Sequence, residues 1–300
     1  MSGPTPDVRR YSAFTDNPEG GNPAGVVLDA SGLSDETMQR IATDVGYSET
    51  AFLSPLADKV DEFAVRYFTP VAEVDFCGHA TIASGVALAE AAAADGEREE
   101  SDDFGDATAR TYGFHTNAGL ITVDLLLTPV GYAATLTSPP TSVSAIEESV
   151  LSELLDALDW HWDDLDERFP PAIGWSGNWH PIVVAGSRTR LHRLDYDYDA
   201  LEELSKREGW TTIQLVFPDD DDRMMRTWYS RNPAPAVGID EDPATGSAAV
   251  AFGAYLVSTG TAAPGDVVTI LQGDDMGRPS VILLTIGNGA MRVTGTAVEL

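Results

Sequence analysis

The stretch "DFCGHATIASGVALAEAAA", Asp75–Ala93, joins a turn of small and polar residues to an almost wholly apolar helix. A second stretch, "DPATGSAAVAFGAYL" at residues 242–256, is built on the same plan. A helix that is apolar on every side must be buried on every side. Small side chains also let other backbones approach the helix closely. We therefore expect two central helices, each with a curved sheet wrapped around it.

The two halves of the chain repeat one order of elements: strand, helix, strand, strand and small-residue helix. In each half the first helix is predicted to end at a glycine, Gly46 and then Gly209. A shift of 168 residues aligns the following positions: Gly78-His79 with Gly246-Ser247, Ala83 with Ala251, Gly85 with Gly253 and Leu88 with Leu256. Chance similarity of two small-residue helices is the alternative. The shared order of elements favours duplication.

Alternating and β-branched segments predict the strands "SETAFLSP" and "DEFAVRYFTP" in the first half, and "TTIQLVFP" and "DRMMRTWYS" in the second. Residues 20–23, "GGNP", are interpreted as a turn, and the acidic segment 95–106 as a solvated loop. Three hundred residues are enough for two domains. We expect an N-terminal lobe at 1–128, completed by a C-terminal strand at about 288–300, and a C-terminal lobe at 129–287.

The chain is strongly acidic, with 48 Asp and Glu against 18 Lys and Arg and a net charge of −30. Such a surface repels phosphates and anionic lipid, which argues against nucleic-acid and membrane partners. Because lysine is also rare, we interpret the composition as adaptation to high salt; an acidic mesophilic protein is the alternative. The polar N-terminus and the absence of a long apolar segment predict a cytoplasmic protein.

The two helix starts are candidate anion sites. The first turn of a helix presents unpaired N–H groups and a partial positive charge. Gly78, His79, Gly246 and Ser247 are therefore expected to bind one substrate carboxylate together, with Cys77 beside them as a further substrate contact. The alternative is that the glycines only ease a strand-to-helix turn.

Glu49, in "YSETAF", enters an apolar strand, whereas Thr212 stands at the duplicated position. A partly desolvated carboxylate suits a group that accepts and returns a proton, so Glu49 is a candidate acid/base; an exposed strand glutamate is the alternative.

Two further polar residues have two possible roles each. Asp242 is either a helix cap or a substrate contact, and His79 is either structural or a polar partner of the substrate. Cys77 and His79 alone make a poor metal signature, so no metal is expected. No nucleotide-binding motif is present either.

Five segments in order resemble the PhzF (phenazine-biosynthesis isomerase) family: "AFTDNPEGGNPAGVV", "GYSETAF", "RYFTPVAEVDFCGHAT", "DEDPATGSAA" and "ILQGDDMGRPS". The resemblance implies an α/β (α+β), diaminopimelate epimerase-like fold of two pseudo-symmetric domains. Each domain would be a rolled, mostly antiparallel sheet around a central helix, with the active site in the cleft between them. The resemblance also implies that Glu49 is the acid/base, that His79 and Asp242 are the histidine and aspartate of the active-site cleft, and that Gly246-Ser247 contacts the substrate. We expect Asp242 and His79 to be catalytic with Glu49, by orienting the substrate and sharing its proton. The resemblance further implies that no metal or cofactor is used and that the protein is a homodimer.

Two departures from relatives narrow the expected chemistry. The forms "GHAT" and "DPATGS" look like the broad family and not its phenazine-making branch. Relatives that invert amino-acid stereocentres use one cysteine at each helix start, whereas here Cys77 is the only cysteine and Thr245 holds the second place. We expect a cofactor-independent isomerase of a small amino or hydroxy acid. The alternatives are an epimerase or racemase that uses Glu49 with Cys77 or Asp242, and a non-catalytic protein that binds a small acid.

Overall fold

A computed structural model describes residues 6–57, 59–94 and 110–300. The strands, in chain order, are β1 Arg9–Ala13, β2 Asn22–Val27, β3 Glu49–Pro55, β4 Glu62–Phe68, β5 Glu73–Val74, β6 Arg110–Thr116, β7 Gly119–Thr128, β8 Gly131–Thr137, β9 Ser142–Ala145, β10 Ala172–Trp175, β11 Trp179–Val184, β12 Gln214–Pro218, β13 Thr227–Arg231, β14 Pro233–Ala234, β15 Ile239–Glu241, β16 Val267–Gln272, β17 Ser280–Thr285 and β18 Arg292–Glu299. The α-helices are α1 Asp35–Val45, α2 Gly78–Ala94, α3 Glu148–Ala157, α4 Arg188–His192, α5 Tyr198–Glu208 and α6 Gly246–Ser258.

The chain forms two compact units. Unit 1 comprises Met1–Thr137 and Thr294–Leu300, and unit 2 comprises Ser138–Val293. Unit 1 thus extends past residue 128, where we expected it to end, because β8 pairs with β7 and packs on α2. The C-terminal residues return to unit 1, where β18 pairs with β1.

In unit 1 a closed sheet surrounds the central helix. Its strand order is β1-β2-β3-β4-β6-β7-β8-β18, and β18 returns to β1. From the β18–β1 pair round to the β7–β8 pair, β2–β3 and β4–β6 are parallel and the other five pairings are antiparallel. Helix α2 packs against β1, β2, β3, β7 and β8, and its residues 79–87 are all buried. Burial on every side explains why its sequence lacks a polar face.

Unit 2 repeats this arrangement around α6. Its strand order is β9-β10-β11-β12-β13-β16-β17, and α6 packs against β9, β10, β11, β12 and β17. From β10 to β17 the pairings are antiparallel, parallel, antiparallel, parallel and antiparallel. The same series runs from β1 to β7 in unit 1. The fold class predicted from the sequence is therefore confirmed.

One aligned pair of glycines has the same function in both units. A Cβ atom added at Gly85 would lie 2.8 Å from Val123 Cγ1 on β7. At Gly253 the added Cβ atom would lie 2.6 Å from Leu284 Cδ2 on β17. Both distances are shorter than van der Waals contact, so only glycine lets each helix approach its sheet this closely.

The helix ends follow the sequence signals, whereas the turn predicted at residues 20–23 is only half right: Gly20 and Gly21 lie in the connection between β1 and β2, but the two residues after them do not. Gly46 and Gly209 end α1 and α5 with left-handed backbone, at φ values of 75° and 73°. Asn22 and Pro23, in contrast, are the first two residues of β2. Pro23 lies opposite Ser12 of β1, and pairing with β3 begins only at the next residue. The missing N–H of Pro23 therefore leaves no gap in the β2–β3 ladder.

Two further expectations differ from the structure or lie outside it. The strand predicted at "DRMMRTWYS" begins only at Thr227, because the Asp222 carboxylate accepts hydrogen bonds from the backbone N–H groups of Met224 and Arg226 and so prolongs the turn. The acidic loop predicted at 95–106 lies outside the described residues. Within the described ranges, no helix has both the length and the apolar character that crossing a bilayer requires.

Candidate functional site

In unit 1, the start of α2 carries the polar residues predicted for the site. The backbone N–H of Thr81 donates to the Cys77 carbonyl at 3.1 Å, so the helix begins at Gly78. His79 lies in the first turn and is only 7% exposed. A histidine buried this deeply needs polar partners.

Four side chains surround the His79 ring. Its Nδ1 atom lies 3.3 Å from the Asn22 amide nitrogen and 3.3 Å from the Cys77 sulfur. Its Nε2 atom lies 3.4 Å from Ser48 Oγ and 3.4 Å from Glu49 Oε2. The tautomer decides which ring nitrogen donates: when Nδ1 accepts from the Asn22 amide, Nε2 carries the proton and faces Ser48 and Glu49.

Glu49 is the first residue of β3, and its side chain is 21% exposed. Among the described residues, no group makes a hydrogen bond to its buried Oε2 atom. The contact with His79 Nε2 has the length of an ion pair, but Nε2 makes its hydrogen bond with Ser48. Glu49 is therefore a half-buried carboxylate with one oxygen left without a protein donor. Such an oxygen is available to take a proton or to accept a hydrogen bond from a ligand.

The same group of side chains could hold a metal ion. One ligand atom each from Glu49, Cys77 and His79 lies within 4.8 Å of the other two. Cys77 and His79 are two residues apart in the sequence and make a poor metal signature without a third ligand. Glu49 supplies that third ligand from a strand that is distant in sequence but adjacent in the fold.

In unit 2, Asp242 and Thr245 shape the start of α6. Thr245 is the N-cap residue, and its hydroxyl donates to Asp242 Oδ2 at 2.6 Å. Gln272 holds the turn from β16: its amide nitrogen donates to the Asp242 carbonyl at 2.7 Å, and its amide oxygen accepts from the Thr245 N–H at 3.3 Å. Asp242 is thus not the cap, which was one of the two roles considered for it. Its carboxylate is instead held in place by the cap residue.

Gly246 and Ser247 are the first two residues of α6 and are half-buried. The Ser247 carbonyl accepts a hydrogen bond from Ser176 Oγ at 2.8 Å. The predicted residues therefore form two groups: Glu49, Cys77, Gly78 and His79 in unit 1, and Asp242, Gly246 and Ser247 in unit 2. That both groups bind a single carboxylate stays a prediction.

Sequence reasoning missed the supporting residues Asn22, Ser48 and Gln272. Asn22 had been assigned to a turn, although it follows two glycines at the start of an apolar strand. Ser48 directly precedes Glu49 in the sequence, so its place in the site could have been predicted from that position. Gln272 lies on a separate strand, and nothing local in its sequence points to the start of α6.

Unit 2 has a cluster of buried polar side chains in the region where unit 1 has Glu49. Counting from the glycines that end α1 and α5 sets Thr212 opposite Glu49, but the strand register gives that place to Gln214. Gln214 pairs with the residue after Pro181 as Glu49 pairs with the residue after Pro23. Thr212 is buried beside it and donates to Asn232 Oδ1 at 2.8 Å. Its hydroxyl also lies 3.0 Å from Nδ1 of His180, which is fully buried. Burial lowers the pKa of His180 to about 4. The duplicated fold thus carries a candidate proton carrier in one unit and a neutral structural cluster in the other.

This cluster predicts a pH dependence of stability. Because the pKa of His180 is lowered from 6.5 to about 4 in the folded protein, the unfolded state binds the proton more tightly. The free energy of unfolding should therefore fall by about 3 kcal/mol through this residue as the pH drops from 6.5 to 4. Urea titrations of His180→Gln should show that this part of the slope has disappeared. His161→Gln, at a side chain that is 85% exposed, should keep it. An unchanged slope in His180→Gln would contradict the assignment.

Comparison with known proteins places the chain in a family. The family model described as phenazine biosynthesis-like protein matches residues 11–300. An uncharacterized isomerase of Clostridium acetobutylicum is 34% identical, over 92% of this chain and 89% of that protein. The trans-2,3-dihydro-3-hydroxyanthranilate isomerase of Pseudomonas chlororaphis is 32% identical, over 96% of this chain and 92% of that protein.

A solved structure agrees with these matches. The Bacillus anthracis phenazine biosynthesis protein of the PhzF family superposes with a TM-score of 0.82 and 28% identity, over 98% of this chain and 96% of that one. The family match spans nearly the whole chain and includes both helix starts. The chain therefore belongs to the phenazine biosynthesis-like (PhzF) family and is an isomerase.

Proposed function

We propose that this isomerase moves a proton within a small carboxylate substrate that carries an amino or hydroxyl group, and that it uses no cofactor. The observation that carries the proposal is the half-buried Glu49 carboxylate, whose Oε2 atom has no hydrogen-bond donor among the described residues and lies beside the His79 ring. A carboxylate in this state can accept a proton from carbon and return it to another carbon.

The helix starts would bind the substrate's own carboxylate. The first N–H groups of α2, at Gly78 and His79, and those of α6, at Gly246 and Ser247, carry the partial positive charge of a helix N-terminus. The same charge would stabilise the negative charge that develops as the C–H proton leaves. Asp242, held by Thr245, would orient an amino or hydroxyl group.

The proposed substrate class is consistent with a named relative. The Pseudomonas chlororaphis isomerase is named for a hydroxyanthranilate, a compound with a carboxylate, an amino group and a hydroxyl group. This chain would act on an acid of the same general kind. The motif forms "GHAT" and "DPATGS" make phenazine synthesis itself a poor candidate.

One observation supports epimerisation as a second candidate reaction. The Cys77 thiol lies 3.3 Å from the His79 ring that Glu49 also approaches, so two groups able to carry a proton flank one imidazole. An epimerase needs two such groups, one on each face of the reacting carbon. Positional isomerisation needs only one.

A solvent-exchange screen tests both candidates. The protein is incubated in deuterium oxide at high salt with a panel of small amino and hydroxy acids, and deuterium at carbon is measured by NMR. We expect at least one acid to gain deuterium at carbon. The product then separates the two reactions. A moved double bond in its NMR spectrum indicates positional isomerisation, and an inverted centre found by chiral chromatography indicates epimerisation. No exchange with any acid would contradict the proposed function.

A further inference from the structure

We infer that Glu49, Cys77 and His79 form a zinc-binding site, and that zinc bound there inhibits the enzyme. The first ground is the identity of the donors. Carboxylate oxygen, thiolate sulfur and imidazole nitrogen are the three ligand types that Zn²⁺ takes from proteins. A thiolate with an imidazole also discriminates against Mg²⁺ and Ca²⁺, which prefer oxygen ligands.

The second ground is the spacing of the donor atoms. His79 Nε2 lies 3.4 Å from Glu49 Oε2 and 3.9 Å from Cys77 Sγ, and the three donor atoms are mutually within 4.8 Å. Tetrahedral zinc with ordinary bond lengths separates its ligand atoms by about 3.3–3.6 Å. The distance from Nε2 to Glu49 Oε2 already falls in this range. Cys77 Sγ lies nearer to Nδ1, at 3.3 Å, than to Nε2, so the thiol must also swing towards the Nε2 side of the ring to share the ion.

The third ground is the local environment. Cys77 and His79 are buried, and Glu49 Oε2 is a buried oxygen without a hydrogen-bond donor among the described residues. A cation would satisfy that oxygen directly. Three protein ligands leave the fourth tetrahedral position for water, as in sites that stay open to solvent.

Binding requires the ligands to lose protons in a defined way. Cys77 must release its thiol proton, because the thiolate is the ligand. To bind zinc through Nε2, His79 must carry its proton on Nδ1, and with the Asn22 amide turned so that its oxygen faces the ring, that oxygen accepts the proton's hydrogen bond. Zinc would then occupy the oxygen that takes the substrate proton in the proposed function. The inhibitory effect rests on that function, whereas the binding itself does not.

Metal uptake tests the site without reference to activity. Metal-free protein at high salt is dialysed against Zn²⁺ in the presence of excess Mg²⁺, and bound metal is measured by mass spectrometry. We expect about one tightly bound Zn²⁺ per chain. With Co²⁺ instead, we expect the near-ultraviolet absorption of a thiolate–cobalt bond. Weak uptake of several ions that Mg²⁺ abolishes would overturn the inference, since it would reflect only the acidic surface.

Variants locate the metal. Cys77→Ser should weaken Zn²⁺ binding at least about tenfold and remove the thiolate–cobalt absorption, and Glu49→Gln should weaken binding but keep that absorption. The matched control is Glu62→Gln, because Glu62 also contacts a histidine, His115, but no thiol. Uptake that is unchanged in Cys77→Ser, or lost in Glu62→Gln, would overturn the site.

The inhibitory effect has its own readout. With a substrate identified by the exchange screen, one equivalent of Zn²⁺ should stop deuterium incorporation, and a chelator should restore it. Persistent exchange in the zinc-loaded protein would overturn the inhibitory role. If zinc binds as expected but the metal-free protein exchanges no acid at all, the proposed function fails and the metal site stands.

Discussion

Glu49→Gln is expected to lower deuterium incorporation into substrate by about 10²–10⁴-fold, the usual contribution of a general base, while ligand binding is retained. Glutamine has nearly the same shape as glutamate, but its amide cannot accept a proton from carbon. The substitution removes no hydrogen bond within the protein at Oε2, because that atom has no donor among the described residues. Glu49→Gln should therefore lower the rate of deuterium exchange without lowering the stability of the fold.

The measurement is NMR-detected exchange at saturating substrate, with binding followed by calorimetry. Glu62→Gln is the control, since Glu62 is likewise a half-buried glutamate on a strand of unit 1 beside a histidine. It should exchange at the wild-type rate. If Glu49→Gln exchanges as fast as the control, Glu49 takes no part in proton transfer. If it fails to bind ligand, Glu49 is a substrate contact and not the base.

The central helices could be predicted because their signal is local. Seventeen consecutive residues in α2 include no Lys or Arg and only one acid, Glu90, so the sequence itself reports burial on every side. The glycines that end α1 and α5 are equally local, because left-handed backbone at a helix end selects glycine. The repeat between the two halves then predicted one sheet-wrapped helix in each half, but not the pairing order of the strands.

Pairing between distant strands was predicted only in outline. A C-terminal strand at about 288–300 was expected to complete the N-terminal lobe, and β18, Arg292–Glu299, does pair with β1. The partner itself, and the closed sheet that results, were not expected, because no local pattern encodes that contact. Helices α3 and α4 of unit 2 have no counterpart among the described residues of the first half, so the repeat gave no reason to expect them.

The site residues that lie in recognisable sequence motifs were predicted, and the others were not. Glu49 was marked by its place before an apolar strand, and His79 by its place at a helix start. The partners of His79, Asn22 and Ser48, became evident only when the fold brought β2, β3 and α2 together. The third ligand of the proposed zinc site was missed for the same reason, because Glu49 lies 28 positions before Cys77 in the sequence.

Gly253→Leu is expected to destabilise unit 2 by about 3 kcal/mol, the upper part of the range for overpacked cores. A Cβ atom at this position would already lie 2.6 Å from Leu284 Cδ2 and 3.2 Å from Ile286 Cδ1. Leucine adds three further carbons in the same space. Its better helix propensity returns only about 1 kcal/mol, so the packing cost prevails.

Urea-induced unfolding at high salt measures the effect, and Val257→Leu is the matched control. Val257 lies four residues further along the same helix and is 39% exposed, so its substitution changes the helix but not the contact with β17. The free energy of unfolding of Val257→Leu should stay within about 0.5 kcal/mol of the wild-type value. In Gly85→Leu the new side chain would contact Val123 on β7. If the repeated helices pack in the same way in both units, this substitution should lower the free energy of unfolding of unit 1 by a similar amount. A Gly253→Leu variant as stable as the control would show that α6 can move away from its sheet, and that the start of the helix is not fixed by close packing along its length.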